Sequence, residues 1–142
     1  MIKKILKRIW KGPEYQKTYH SKILGEMIFN RDNFCWESKK KINDDEVNFI
    51  VGGTKKPDDK LIKALEEIAK SFNEFQYIIN EFLKEQTQNA GEEILKLKIS
   101  DIMYSRPDKP NNGMVFFRGT TNYKIWHCDL VKGKPKYLNY DK

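Results

Sequence analysis

Apolar residues recur along this chain with two different periods, and the points where the period changes mark its elements. In residues 1–11, Ile2, Ile5, Leu6, Ile9 and Trp10 fall at i, i+3, i+4, i+7 and i+8, with Lys3, Lys4, Lys7, Arg8 and Lys11 between them. That spacing predicts a short amphipathic helix, ended by Gly12 and Pro13. From Ile23 the period is two: Ile23, Met27 and Phe29 alternate with Leu24, Glu26 and Asn30. The turn residues Asn30 to Asn33 then lead to Phe34, Cys35 and Trp36, which predicts a β-hairpin. After a polar stretch from Lys39 to Asp45, Val47, Phe49 and Val51 form the inward side of a third strand that stops at Gly52-Gly53.

Asp58 or Asp59 can cap the longest regular element, whose apolar positions Leu61, Leu65, Ile68, Phe72, Phe75, Ile79 and Phe82 are spaced alternately by four and three. Ile62, Ala69, Ile78 and Leu83 widen this stripe beyond a coiled-coil seam, which predicts a helix laid across a sheet. Its roughly 28 residues would extend about 42 Å, long for a small sheet, which favours a break near Ser71 to Asn73. Leu95, Leu97 and Ile99 alternate with lysines as a fourth strand, and Arg106 to Gly113 reads as an exposed loop. Met114 to Arg118, Tyr123 to Val131 and Lys136 to Tyr140 complete the pattern, the last two strands joined by a turn at Lys132 to Pro135. The expected fold is α+β: an antiparallel sheet of six to seven strands with one long helix on one face, in the order βββ-α-ββββ.

Charge divides the chain unevenly. Residues 1–22 hold seven Lys/Arg against one acid, +6 of the formal +7, while residues 23–142 hold 20 Lys/Arg against 19 Asp/Glu. The chain therefore reads as a basic amphipathic arm, 1–22, followed by a single domain, 23–142, of ordinary size. A near-neutral body offers no surface to extend a phosphate footprint, which argues against nucleic acid. At eleven residues the amphipathic stretch is too short to stand alone as a helix in water, so Ile2, Ile5, Leu6, Ile9 and Trp10 must dock on the domain or find lipid or another chain. An anionic membrane surface would be contacted through Ile2, Lys3, Lys4, Ile5, Leu6, Lys7, Arg8, Ile9, Trp10 and Lys11. The start has no apolar stretch or cleavage site of a secretory signal, and no run of 18 apolar residues occurs. These features predict a cytoplasmic protein, peripheral at the inner face of the membrane if the arm binds lipid.

Candidate chemistry is sparse. His127 and Asp129 lie two apart on a strand and share a face, but Trp126, Cys128 and Leu130 take the opposite, core face. A binding or structural role outweighs a catalytic one, since no nucleophile accompanies the pair. Cys128 beside His127 points to the other side of the sheet, and Cys35 reads as a small buried hydrophobe. No CxxC, HExxH, P-loop, GxGxxG or GxSxG occurs, so neither a metal nor a nucleotide cofactor is expected. Aromatic residues gather in the last strands, and those that alternation turns outward suit a protein interface. Arg106, Asn111, Tyr123, His127, Asp129 and Tyr137 are the expected partner-binding residues.

The run Leu24-Gly25-Glu26-Met27-Ile28-Phe29, then Phe34-Cys35-Trp36, a helix, Ile125 to Leu130 and Gly133 to Leu138 resembles a loose group of small uncharacterised bacterial α+β domains. Some members of that group look like immunity proteins of polymorphic toxin systems. The resemblance covers most of residues 23–141 and implies no catalytic residues. It implies a non-enzymatic protein that binds and sequesters a protein partner, while the near-neutral body argues against a nuclease as that partner. The alternative expectation is a membrane-surface protein docked through the arm.

Overall fold

The computed structural model describes residues 17–90, 92–121 and 123–141. Eight strands form one sheet whose spatial order follows the chain: β1 (Thr18–Ser21), β2 (Gly25–Asn30), β3 (Cys35–Ile42), β4 (Asp45–Gly52), β5 (Lys98–Tyr104), β6 (Asn112–Arg118), β7 (Ile125–Val131) and β8 (Lys134–Asp141). Between β4 and β5 run two helices, α1 (Asp59–Lys70) and α2 (Phe72–Ala90), and a 3₁₀ turn, Glu92–Lys96. The expected fold is corrected in three respects: among the described residues the sheet has eight strands, it is mixed, and two helices cover it.

Each correction has a physical cause. Strands β4 and β5 pair in parallel, Asn48 with Asp101 and Ile50 with Met103, because the helical excursion carries the chain back to the starting end of the sheet. Antiparallel pairing would have needed a return from the opposite end. The long helix breaks at Ser71, whose φ of −121° and ψ of 47° leave the helical region while its N–H still donates to the Glu67 carbonyl. The break lets Leu61, Ile62 and Leu65 of α1, and Phe72, Phe75, Ile79 and Leu83 of α2, all reach the sheet, and all seven are buried. Ile78 faces solvent. Asp58 caps α1, its carboxylate accepting from the Lys60 and Leu61 amides at 3.0 and 3.1 Å.

The extra strand is β1, a short polar edge paired Tyr19 to Met27 and His20 to Glu26. It turns into β2 through Lys22 to Leu24, where the Ser21 hydroxyl accepts from the Ile23 and Leu24 amides. Leu24 is thereby buried; it does not face outward as its place in the alternation suggested. The polar stretch after Lys39 belongs to β3, which meets β4 through a two-residue turn with Asn43 and Asp44 at φ of 53° and 69°. Two consecutive positive φ values give the turn whose twist matches a hairpin, and Asn and Asp tolerate them. Leu95 is exposed in the 3₁₀ turn, so the fifth strand begins only at Lys98.

The helices lie on one side only, α1 against β4 and β5 and α2 against β8. Under them the strands alternate as a two-residue period requires: Met27, Trp36, Val47, Phe49, Val51, Ile102, Val115, Trp126, Cys128 and Leu130 are buried on the helix side. The residues between them form the second face, which no described element covers. Among the described residues no helix is long and apolar enough to cross a membrane.

Candidate functional site

The uncovered face is built from the positions that alternation turns away from the helices. Across its middle, Ile50 of β4 opposes Met103 of β5, Met103 opposes Met114 of β6, and Met114 opposes Asp129 of β7. A second row places Asn48 beside Asp101, Asp101 beside Phe116, and Phe116 beside His127. All eight are half-buried, shielded by neighbouring side chains but not by a second layer. The face is thus an apolar strip of Ile50, Met103, Met114 and Phe116 bordered by Asp101, His127 and Asp129.

At the end of the sheet the strip deepens into a cleft of about 320 Å³. Met103, Met114, Asp129, Arg106, Lys109 and Asn112 are among the residues that line it. The β5–β6 loop above it is held by two backbone bonds, Lys109 N–H to the Arg106 carbonyl and Asn112 N–H to the Lys109 carbonyl. Arg106 grips Asp108 with two nitrogens, at 2.8 and 3.4 Å, and this bond holds the Asp108 carboxyl below its ordinary range. Both side chains are exposed, so the pair shapes the loop more than it stabilises the fold.

His127 sits beside the cleft on the same face. Its ring lies 6.0 Å from that of Phe116, and Nε2 approaches the Asp141 carboxylate to 3.2 Å. That approach has the length of a bond but not the direction of one: both ring nitrogens are out of water and without a hydrogen-bond partner. Asp101 accepts a hydrogen bond from Ser100 at 2.7 Å, and neither Asp101 nor Asp129 pairs with a described cation. On β3, Glu37 accepts from Asn30 and Asn48, both at 2.7 Å, while the Asn48 carbonyl oxygen is shielded and unpartnered.

Of the residues expected to bind a partner, Arg106 and Asp129 both line the cleft, His127 adjoins it, and Asn111 sits exposed at the loop's end. Tyr123 and Tyr137, 63 and 71% exposed, lie away from it, in the turn before β7 and on the edge strand β8. The arm residues 1–11 fall outside the described residues. Met103, Met114, Asp101 and Ile50 were missed. Pairing Met114 with Asp129 was within reach once β6 and β7 were read as a hairpin, but the β4–β5 register that adds Ile50 and Asp101 has no local signal.

The thiols do not supply a nucleophile to this face. Burial, and then the charge of Glu37, pushes Cys35 up to about 11; burial, and then Asp129, pushes Cys128 up to about 12. No three His, Cys, Asp or Glu among the described residues gather as a metal site. Comparison with known proteins adds nothing to this geometry. No family model, curated protein or solved structure matches the chain.

Proposed function

We propose that the protein is a non-enzymatic binding domain that takes a protein partner on the uncovered sheet face, with the β5–β6 loop at the rim. The observation that carries this reading is the one-sided helix layer: it leaves Ile50, Met103, Met114 and Phe116 half-exposed in one continuous strip. Flexible methionine side chains adapt to a partner's shape, and the carboxylates and His127 around them give the polar rim of a protein interface. Sequestration of a partner, as an immunity protein sequesters its toxin, is the concrete form. The raised thiol pKa values, with no nucleophile beside His127 and Asp129 among the described residues, favour the binding reading over turnover.

The test is recovery of a partner from the native host on the wild-type protein and on Met114→Glu. A protein held at one-to-one stoichiometry by the wild type and lost by the variant supports the reading. Turnover of a small molecule by the purified protein, lost in His127→Ala or Asp129→Asn, replaces it with an enzyme.

A further inference from the structure

One row of register partners crosses the uncovered face from the strand that follows the N-terminal segment. Thr18 opposes Ile28, and the row continues through Glu37, Ile50, Met103 and Met114 to Asp129. Ile28 is 38% exposed and Ile50, Met103 and Met114 are half-buried, so the row is an apolar strip interrupted and ended by carboxylates. Strands lie about 4.8 Å apart, which makes the four steps from Ile28 to Met114 about 19 Å. The sequence of residues 1–11 places five large apolar side chains and five cations on a segment that, as a helix, is about 16 Å long. Residues 12–17 can span up to about 20 Å, and Lys17 is anchored at the head of the row, its carbonyl accepting from the Phe29 amide at 3.0 Å.

Charge agrees with length. Asp101 and Asp129 form no ion pair with a described residue, although exposed Lys136 stands across from Asp129, and Arg118 is turned to the Glu46 and Ile99 carbonyls. Lys39 is the exposed cation beside Glu37. We propose that this row is the docking surface for residues 1–11 of the same chain, with Ile2, Ile5, Leu6, Ile9 and Trp10 on Ile28, Ile50 and Met103 and the flanking cations beside Glu37, Asp101 and Asp129. This rests on the reading of the uncovered face as a docking surface, and it makes the segment a tethered competitor that a partner must displace. Tethering gives the segment an effective concentration of about millimolar, so a weak contact suffices to occupy the face.

Methionine methyl resonances of the full-length protein test this, since Met103 and Met114 lie on the row and Met27 is buried under the helices. In the full chain carrying Ile5→Glu and Ile9→Glu, the Met103 and Met114 methyls shift from their wild-type positions and Met27 does not. A second variant, Lys7→Glu with Arg8→Glu, shifts the same two methyls while keeping every apolar residue. Identical Met103 and Met114 positions in all three proteins overturn the proposal, and co-sedimentation of that wild type with phosphatidylserine vesicles then assigns the segment to lipid. Wild-type positions that drift toward the variant's on dilution also overturn it, because the occupant is then a second copy. Partner recovery with Met114→Glu is independent: failure there with the methyl shifts intact removes the partner reading alone.

Discussion

Replacing Trp36 measures how much of the stability lies where the sheet meets the helices. The indole is 1% exposed, 5.1 Å from the Phe29 ring and 6.4 Å from that of Tyr19, and its Nε1–H donates to the Gly53 carbonyl at 3.1 Å. A buried Trp removes about 150–250 Å² from water, worth about 4–6 kcal/mol at about 25 cal/mol per Å², an upper bound because the unfolded chain is not fully extended. Trp36→Ala is therefore expected to cost about 3–5 kcal/mol, the range of comparable core truncations. Trp36→Phe keeps most of the apolar area but leaves the Gly53 carbonyl without its donor, so about 2 kcal/mol is expected. Urea unfolding followed by far-ultraviolet circular dichroism reads both, with unchanged m-values as the sign that only stability has moved. A loss below about 1 kcal/mol for Trp36→Ala would refute the assignment of Trp36 to the helix side.

Three further outcomes follow from named contacts. Glu93 accepts from Lys124 at 3.1 Å and from Thr121 and the Trp126 indole at 3.4 Å, and chiefly the Lys124 bond holds its carboxyl below the usual carboxylate range. A depressed carboxyl stabilises above its unfolded pKa and loses that effect as pH falls through the folded value, so the melting temperature of Glu93→Gln falls below wild type at pH 7 and the gap closes in acid; a gap independent of pH refutes this. Gly53→Ala places a methyl 2.1 Å from the Lys56 carbonyl oxygen at a φ of +144°, and thermal unfolding is expected to show a loss of about 2–4 kcal/mol. Cys35 and Cys128, held as thiols, should react with Ellman's reagent at pH 8 about two orders of magnitude more slowly folded than in urea; equal rates would show that one is accessible.

Much of the fold was legible where one face was apolar and the other polar. Val47, Phe49 and Val51, and Trp126, Cys128 and Leu130, are buried as their alternation required, and Asp58 caps the helix it precedes. Strand β3 was obscured because three consecutive lysines hide the period: Lys40 lies on the helix side of the sheet, its ammonium donating to the Ile23 carbonyl at 2.6 Å. Such a residue buries its stem and carries its charge to a polar group, so the letter K conceals an inward position. The short polar β1 offered no periodicity, and the parallel β4–β5 register depends on a helical excursion that leaves no trace at either strand. For the site, adjacency within β7 placed His127 and Asp129 on one face, but the methionines beside them become neighbours only through tertiary pairing.

The parallel junction also shapes how the chain can fold. Strands β1 to β4 and β5 to β8 are two meanders closed by short turns, whereas Asn48 and Asp101 meet across a loop of about 50 residues. Lengthening a closed loop from about three residues to about 50 is some four doublings, an added entropic cost of about 2.4 kcal/mol before any contact across the seam is gained. Each meander can therefore form from local pairs first, and the two halves join only when α1 has condensed over the line between them, which makes the helix layer the step on which the completed sheet, and with it the row from Ile28 to Asp129, depends.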